Sequence, residues 1–390
     1  MSAIYLDYNA TTPLDPEVVA AIQPYLTPGL AGIFGNPSSS HEYGHRAHAA
    51  AAEARAQVAD LLGCRPEEIA FTGCGSEADN LAVKGVAEAY RERGSHVITS
   101  QVEHPAVLNT CRYLERRGYR VTYLPVDEYG QVRLTDLERA LTAETVLVSV
   151  MHANNETGTI QPIAEIAALA HGRGALVHTD AAQSVGKVAT RVDDLGVDLL
   201  TVAGHKLYAP KGVGALYVRS GVRLEPVVHG AGHEGGRRAG TENVPYMAAL
   251  GKACEVAAKT MDDYAPRLRG LRDRLQQLLA EAVPGLALNG HPTQRLPNTL
   301  NVSFPGVDAE ELLAATPEVA ASTGSACHAG RTDPSAVLLA MGIPRGRALG
   351  AVRLSLGKLT TASEVEEAAD ALGRAWRKLT VQRGGSGAAG

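Results

Sequence analysis

The segment 175–218 constrains the fold more than any other part of the chain. It contains two short apolar runs, 175–179 and 197–203, and each is followed by polar residues. Runs of this kind are typical of buried parallel strands, and ligands of open α/β sheets bind at the carboxyl ends of such strands. The sequence therefore predicts an α/β protein whose functional site lies where these two strands end.

A carboxylate and an amine stand at these strand ends. Asp180 follows the first run, and Lys206 follows the second with His205 beside it. Either charge is costly to bury without a partner. A pyridoxal phosphate site supplies both partners, because the lysine forms a Schiff base with the aldehyde and the aspartate pairs with the protonated pyridine nitrogen. Gln183 is then placed to bond the ring hydroxyl and His205 to reach the phosphate. A structural Lys–Asp ion pair is the alternative interpretation.

The strings D-A-A-Q at 180–183 and G-H-K-L-Y-A-P-K-G at 204–212 resemble the cofactor segment of class V pyridoxal-phosphate enzymes, specifically the NifS/IscS-like cysteine desulfurases. With the motifs below, the likeness runs from about residue 5 to about residue 379. It implies fold type I of the pyridoxal-phosphate enzymes: a large domain with a mixed, mostly parallel seven-stranded sheet between helices, and a smaller α+β domain. It also implies that Lys206 is the Schiff-base lysine, Asp180 the pyridinium partner and Gln183 the ring-hydroxyl ligand.

Composition excludes several other classes. The net charge of −5 gives no basic footprint for direct nucleic-acid binding. The amino terminus lacks a basic region followed by an apolar core, and no run approaches the roughly 18 apolar residues of a membrane span. Five widely spaced cysteines without a C-x-x-C pair argue against disulfides or a zinc ribbon and favour a reducing, cytoplasmic setting.

A chain of 390 residues is long enough for two domains. Two long helical patterns, at 245–260 and 266–283, lie on either side of the boundary that we place near residue 262. The predicted units are a large pyridoxal-phosphate domain at 15–261, a small domain at 1–14 and 262–382 that carries a cysteine loop, and a flexible tail at 383–390.

A phosphate site is predicted at G-C-G-S-E, residues 73–77, where a strand turns into a helix. Gly75 permits the tight turn, Ser76 can cap the helix, and the first-turn amides form an anion site. A capped helix without a ligand is the alternative. The family usually has threonine at the position of Ser76, so the hydroxyl is retained. Ala203 stands where the family often has serine, which leaves the phosphate to Ser76, His205 and the amides.

Four further residues gain a role from the resemblance. His104, the predicted cap of a helix that starts at a proline, is implied to stack on the pyridoxal ring and to act as an acid–base group. Asn9 is implied to lie near the substrate carboxylate, and Asn155 to contact both the cofactor and that carboxylate. Arg353 on a predicted strand needs a carboxylate partner, either an internal one or, as the family implies, the α-carboxylate of an amino acid.

The glycine-rich loop 230–243 reads by itself as a mobile surface loop. Its R-x-G-T-x-N string resembles the family segment in which a threonine reaches the phosphate of the neighbouring subunit, so Thr241 implies a homodimer. Gly235 replaces a usual arginine of that family segment.

The H-E-Y-G-H string at 41–45 fits a zinc-protease pattern. Gly44 weakens the helix that this pattern requires, so we predict no metal site.

Cys327 lies among small residues and glycines at 321–331. Such surroundings make the thiol accessible, and His328 and Arg331 can supply the positive potential that favours a thiolate. An inert loop thiol is the alternative. G-S-A-C at 324–327 resembles the persulfide-forming loop of the group I desulfurases.

These observations predict a cysteine desulfurase that converts L-cysteine to L-alanine. Lys206 and His104 move protons, and Cys327 takes the sulfur as a persulfide and passes it to an acceptor protein. The alternatives are a selenocysteine lyase, a class V aminotransferase and a non-enzymatic sulfur-relay or scaffold protein. The sequence leaves the pathway open among iron–sulfur assembly, tRNA thiolation, thiocofactor synthesis and DNA phosphorothioation.

Overall fold

The computed structural model describes residues 3–323, 326–328 and 331–386, with side chains except at 326–328, 331–332 and 384–386. The strands are β1 (Ile4–Tyr5), β2 (Ile69–Thr72), β3 (His96–Ser100), β4 (Arg120–Leu124), β5 (Thr145–Ser149), β6 (Leu176–Asp180), β7 (Leu199–Ala203), β8 (Gly214–Val218), β9 (Ala287–Asn289), β10 (Thr299–Ser303), β11 (Val319–Ala320), β12 (Ala326–His328), β13 (Arg331–Asp333) and β14 (Ala351–Ser355). The α-helices are α1 (Pro16–Leu26), α2 (Glu42–Leu62), α3 (Gly75–Ala89), α4 (Pro105–Arg116), α5 (Leu134–Ala140), α6 (Ile163–His171), α7 (Val192–Leu195), α8 (Val244–Ala282), α9 (Ala309–Ala314), α10 (Ala336–Ala340), α11 (Arg345–Leu349) and α12 (Ala362–Ser386).

Seven strands form one mixed sheet in the order β2-β8-β7-β6-β5-β3-β4. The strands from β7 to β4 pair in parallel, whereas β8 is antiparallel to both β7 and β2. The runs that the sequence singled out at 175–179 and 197–203 are β6 and β7, which lie side by side in parallel. Their polar ends therefore meet at one edge of the sheet, and the predicted seven-stranded, mostly parallel sheet is confirmed.

Each face of this sheet packs into its own apolar cluster. Leu199 enters one cluster and Leu200 the other, because successive strand residues point to opposite faces. Helices α3 and α4 add Leu81 and Leu114 to the first cluster, and α8 adds Leu250 to the second. Because helices cover both faces of the sheet, its strands are nearly continuous apolar runs.

One continuous helix, α8, occupies the region for which the sequence predicted two. Pro266 favours a helix start because it has no N–H and its ring crowds the preceding turn. In the structure, Asp262 and Pro266 are both exposed, so this turn faces solvent and water can satisfy the carbonyl that loses its donor. The helix therefore passes through the proline, and the prediction of two helices is wrong.

A further apolar core surrounds the antiparallel sheet β14-β10-β9. Leu300 and Leu354 of this sheet pack in one cluster with Leu275 of α8 and Leu372 of α12. Strand β1 pairs in parallel with β11, which joins the amino-terminal residues to this unit. These contacts support the division near residue 262, which stays a prediction.

The last helix begins at the predicted capping box. Glu364 Oε2 accepts the N–H of Thr361 at 2.8 Å, and Thr361 Oγ1 accepts the N–H of Glu364 at 3.2 Å. Helix α12 continues to Ser386, so the first four residues of the predicted flexible tail are helical. Residues 387–390 lie outside the described part of the chain. Among the helices that the structure describes, none has the length and apolarity that crossing a bilayer requires.

The H-E-Y-G-H segment starts α2. His41 is the N-cap, and its Nδ1 accepts the N–H of Gly44 at 3.2 Å. Among the described residues, no group of three or more His, Cys, Asp or Glu side chains is arranged to hold a metal ion.

Candidate active site

A cavity of about 300 Å³ opens at the carboxyl ends of β6 and β7. Ten residues that the sequence singled out line it: Asn9, Gly75, Ser76, His104, Asn155, Asp180, Gln183, His205, Lys206 and Arg353. Thr241 is not among the lining residues. The side chain of Cys327 lies outside the described part of the structure.

Lys206 sits in a single 3₁₀ turn that directly follows β7. Its Nζ donates hydrogen bonds to the carbonyl oxygens of Asn9 at 2.5 Å and Ala10 at 2.6 Å. No described carboxylate lies within 4.0 Å of this nitrogen, so the alternative of a structural Lys–Asp ion pair is wrong. Burial, with the charge of Arg353, lowers the pKa of Lys206 to about 8. The amine is therefore readily deprotonated.

Asp180 ends β6 and is buried. Its Oδ1 accepts the N–H of Ala182 at 2.9 Å, and its carboxylate accepts no other hydrogen bond from the described residues. Burial raises the pKa of Asp180, while the attraction of His104 and Lys206 opposes this shift. The carboxylate keeps acceptor capacity for a group in the cavity.

The carboxamide of Gln183 is held from both sides. Its Nε2 donates to the carbonyl oxygen of Asn9 at 3.0 Å, and its Oε1 accepts from Nζ of Lys187 at 3.2 Å. Lys187 also donates to the backbone carbonyl of Gln183 at 2.9 Å. Lys187 is 3% exposed and has no carboxylate partner among the described residues. Burial, helped by the charge of Lys206, lowers the pKa of Lys187 to about 7.

The N-terminus of α3 forms one wall of the cavity. The sequence suggested Ser76 as the helix cap, but Cys74 is the N-cap and its Sγ accepts the N–H of Glu77 at 3.4 Å. A thiol can also accept the hydrogen bond of a helix cap, and with Cys74 as the cap the helix starts at Gly75. The first-turn N–H groups of Gly75 and Ser76 have no intrahelical acceptor and can bind an anion. A Cβ at position 75 would lie 3.0 Å from that of Ala203, so glycine permits this close approach to β7.

His104 caps α4, as the sequence predicted. Its Nδ1 accepts the N–H of Ala106 at 3.1 Å, which leaves Nε2 as the nitrogen that exchanges a proton. Desolvation and the charge of Lys206 lower the pKa of His104, and the charge of Asp180 opposes this shift. The imidazole is therefore neutral at pH 7, and because Nδ1 is the acceptor its proton lies on Nε2, from which it can be donated to a ligand as a general acid.

His205 lies beside the reactive amine on the same turn. Its Nδ1 is 3.3 Å from the hydroxyl oxygen of Thr11. Burial, followed by the charges of Lys206 and Lys211, lowers the pKa of His205 to about 4. His205 is therefore neutral and meets an anion as a hydrogen-bond donor rather than as a cation.

Arg353 of β14 is almost fully buried at the cavity wall. Its Nη2 pairs with Asp7 Oδ1 at 2.8 Å, and its Nη1 donates to the carbonyl oxygen of Asn155 at 3.1 Å. Its Nε is buried and has no partner among the described residues. The internal ion pair that the sequence left open is therefore present, and these contacts use two of the five N–H donors of Arg353, so three remain for a ligand.

Asn9 contributes mainly its backbone to the cavity, because its carbonyl oxygen accepts from Lys206 and Gln183. Its carboxamide is engaged with the protein: Nδ2 donates to Thr299 Oγ1 at 2.9 Å, and Oδ1 accepts from Asn298 Nδ2 at 3.0 Å. A contact of Asn9 with the substrate carboxylate stays a prediction.

The segment that carries Cys327 is attached to the cavity at both ends. Before it, Ser322 and Arg353 exchange backbone hydrogen bonds of 3.3 and 2.7 Å. After it, the hydroxyl of Ser335 donates to the carboxylate of Glu156, the residue that follows the cavity-lining asparagine. Between these anchors, Cys327 belongs to the short strand β12.

Thr241 lies on an exposed loop that leads into α8. Arg238 of the same loop pairs with Glu77 of α3 at 2.7 Å, and Glu77 also accepts the N–H of Gly73 at 2.8 Å. The loop is thus fastened to the wall that α3 forms, and Thr241 remains at the surface.

Three residues of this region were missed from the sequence: Asp7, Asp79 and Lys187. Asp79 lines the cavity, and its spacing of four from Gly75 places both on one face of α3, which was an available signal. Asp79 is 2% exposed, its Oδ1 has no hydrogen-bond partner among the described residues although His178 Nε2 lies 3.7 Å away, and burial raises its pKa well above the ordinary value. Nothing local in the sequence indicated the burial of Lys187 or the partner of Asp7.

Comparison with known proteins agrees with this geometry. The family model described as Aminotransferase class-V matches residues 4–368. Cysteine desulfurase 2 of Trichormus variabilis is 50% identical over 369 residues, which cover 94% of this chain and 91% of that protein. Cysteine desulfurase IscS of Methanosarcina thermophila is 47% identical, with coverage of 97% and 93%.

Solved structures give the same result. A NifS-like protein matches with a TM-score of 0.89 at 37% identity, covering 95% of this chain and 98% of its own. SspA in complex with cysteine matches with a TM-score of 0.77 at 37% identity, covering 90% and 98%. The chain therefore belongs to the class-V aminotransferase family and, within it, to the NifS- and IscS-like cysteine desulfurases.

Proposed function

We propose that this protein is a pyridoxal-phosphate-dependent cysteine desulfurase that converts L-cysteine to L-alanine and leaves the sulfur as a persulfide on Cys327. One observation carries the proposal. A single cavity holds the amine of Lys206, the buried carboxylate of Asp180 and the guanidinium of Arg353. The segment that bears Cys327 is attached to the same cavity at both ends.

The donor set of the cavity fits pyridoxal phosphate. Among the described residues Lys206 has no carboxylate partner, Asp180 has free acceptor capacity, and the amides of Gly75 and Ser76 offer an anion site. One phosphorylated pyridine aldehyde satisfies all three. When bound, it supplies the electron sink that lets an amino acid lose its Cα proton and its sulfur. The proposed cofactor ligands are Lys206, Asp180, Gln183, His104, His205, Gly75, Ser76, Asn155 and, from the neighbouring subunit, Thr241.

Two residues are proposed to move protons. The lowered pKa of Lys206, about 8, leaves about one tenth of its Nζ neutral near pH 7, compared with less than one in a thousand for an ordinary lysine, so it can accept the Cα proton. His104 is neutral with its proton on Nε2, because Nδ1 accepts the N–H of Ala106, so its Nε2–H can donate a proton to the substrate.

Arg353 is proposed to bind the substrate carboxylate. Asp7 holds the guanidinium in place, and three of its five N–H donors are not used by the described residues and remain for the ligand. A charge-assisted hydrogen bond of this kind is worth roughly 1.5–3 kcal/mol. Nη1 of Arg353 donates to the carbonyl oxygen of Asn155, so the backbone of Asn155 lies beside the proposed carboxylate site.

Cys327 is within reach of a substrate in the cavity, because a chain of five residues from Ser322 spans up to about 17 Å. Its thiolate attacks the sulfur of cysteine, and a sulfur–sulfur bond forms as the carbon–sulfur bond breaks. The electron pair of that bond stays with carbon, which is protonated to give alanine. The terminal sulfur of the persulfide is then passed to an acceptor protein.

The proposal includes a homodimer, and its support is that Thr241 is held at the surface of its own subunit rather than in its own cavity. It also includes a reducing, cytoplasmic setting. The cysteines with described side chains, Cys64, Cys74, Cys111 and Cys254, are free thiols, which suits that setting.

The test compares Cys327→Ser with Cys64→Ser, which changes a half-buried thiol outside the cavity. Each protein is incubated with L-cysteine, alanine is quantified, and intact mass reports sulfur added to the chain. We expect Cys327→Ser to keep the visible absorbance of bound cofactor and to lose both the added sulfur and sulfide release. Cys64→Ser should keep all three.

Undiminished alanine and sulfide production by Cys327→Ser would contradict the role of this thiol. A keto acid in place of alanine would indicate the aminotransferase alternative. Much faster turnover of selenocysteine than of cysteine would indicate the lyase.

A further inference from the structure

A second cavity, of about 580 Å³, lies between the second half of α8 and the segment 292–295. It shares no lining residue with the active-site cavity. Three guanidinium groups line it, those of Arg269, Arg272 and Arg295, and Asp273 supplies the one carboxylate among its lining residues. Two positive charges of the wall therefore have no counter-charge in it.

Arg272 pairs with one oxygen of that carboxylate. Its Nε and Nη2 donate to Asp273 Oδ1 at 2.9 and 2.7 Å, and its Nη1 donates to the carbonyl oxygen of Leu296 at 2.6 Å. All three nitrogens of Arg272 are satisfied, so this residue acts as a fixed part of the wall.

Arg295 is left without an adequate partner. Arg295 is 5% exposed, and its Nη2 donates to Gln276 Oε1 at 2.5 Å. The same Nη2 lies 3.6 Å from Asp273 Oδ1, the oxygen that also accepts from Arg272. Its Nε and Nη1 have no partner among the described residues. Burial and the neighbouring charge of Arg272 lower the pKa of Arg295 to about 10. A buried cation in this position is costly unless an anion joins it.

We propose that this cavity binds a dianionic phosphate group, either free phosphate or a phosphate monoester. Two uncompensated positive charges match a dianion, and the second pKa of a phosphate is near 6, so it is dianionic at pH 7. Guanidinium groups bind phosphate oxygens through short charge-assisted hydrogen bonds. Arg269 is exposed at the rim and Thr293 adds a hydroxyl, so the anion can enter from solvent.

Backbone hydrogen bonds connect this cavity to the active site. The segment that carries Arg295 pairs with the turn that follows Asn155: Leu296 N–H donates to Gly158 at 2.9 Å, and Ile160 N–H donates to Gln294 at 3.0 Å. A phosphate that fixes Arg295 therefore also braces this turn. The expected local signature is slower amide exchange at residues 158–160 and 294–296.

The test uses the holoprotein, with its cofactor bound so that the cofactor's own phosphate site is filled. Calorimetric titrations with inorganic phosphate and with glycerol 3-phosphate are run at constant ionic strength set with potassium chloride. Arg269→Gln removes an exposed cation of the cavity. Arg274→Gln is the matched control, because Arg274 is exposed on the same helix and pairs instead with Glu366 at 3.5 Å.

We expect saturable binding that Arg269→Gln weakens about tenfold and Arg274→Gln leaves unchanged, as expected for the loss of one charge-assisted contact. Arg295→Gln should abolish binding. Tighter binding of the free ion, or of glycerol 3-phosphate, identifies which source of phosphate the site prefers. Absence of saturable binding of both probes overturns the proposal. So does an equal loss in Arg269→Gln and Arg274→Gln, or exchange protection outside the two named segments.

Discussion

Lys187 provides a quantitative test of the electrostatics around the cavity. It is buried beneath Gln183, donates two hydrogen bonds to that residue and has no carboxylate partner among the described residues. The change Lys187→Met removes the ammonium and keeps an unbranched side chain of similar length. We expect this variant to be more stable than the parent protein at pH 6 and less stable at pH 10.

The magnitude follows from the pKa of Lys187, which folding lowers from 10.5 to about 7. Each pKa unit is worth about 1.4 kcal/mol, so the buried ammonium destabilises the fold by roughly 5 kcal/mol below pH 7. This penalty shrinks as pH rises toward 10.5, because the unfolded chain then also loses the proton. The two lost hydrogen bonds cost roughly 2–3 kcal/mol at any pH. The net effect is a gain of about 2 kcal/mol at pH 6 and a loss of about 1–2 kcal/mol at pH 10.

The assay is urea unfolding followed by far-ultraviolet circular dichroism at the two pH values. Lys378→Met is the control, since Lys378 is exposed on α12, and it should change the midpoint little at either pH. The reasoning is refuted if Lys187→Met lowers the midpoint at pH 6 as much as at pH 10. Separately, the freed carboxamide of Gln183 should shift the visible absorbance of the bound cofactor.

Three further changes test other contacts of the site. Arg353→Lys should raise the KM for L-cysteine about 30-fold, which corresponds to about 2 kcal/mol for the lost planar, charge-assisted contact, and an unchanged KM would remove Arg353 from substrate binding. Ser335→Ala should slow persulfide formation in single-turnover experiments without changing the cofactor spectrum, because it releases one anchor of the segment that carries Cys327. Glu156→Gln keeps an acceptor for that hydroxyl and should retain most of the rate; equal losses in the two variants would contradict the anchoring role. Ala203→Ser should tighten pyridoxal phosphate binding to the apoprotein about fivefold, the value of one net hydrogen bond of about 1 kcal/mol, and an equilibrium titration that shows no gain would place the phosphate elsewhere.

Local sequence signals were sufficient for the sheet edge and for the cap at His104. The two apolar runs became β6 and β7 within two residues, and their polar ends delivered Asp180 and Lys206 to one cavity. His104 caps its helix because a proline at the first helical position fixes where that helix starts. Such features depend on a few neighbouring residues, and for this reason they can be predicted from the sequence.

Features that depend on distant parts of the chain were not accessible in the same way. The sequence predicted a second helix starting at Pro266, whereas the helix continues through this proline because the turn is exposed to solvent. Ser76 was assigned the capping role because hydroxyls are common caps, whereas the thiol of Cys74 fills it. The two buried arginines, Arg272 and Arg295, meet only because α8 packs beside a later loop.

The continuity of α8 has a consequence for how the protein unfolds. Its 39 residues span about 58 Å and supply Leu250 to one apolar cluster and Leu275 to another. An isolated half of this helix would lose most of the packing that keeps it helical. Fraying that starts in either cluster therefore propagates along a shared backbone into the other, and heat should melt both clusters in a single cooperative transition instead of two separate steps.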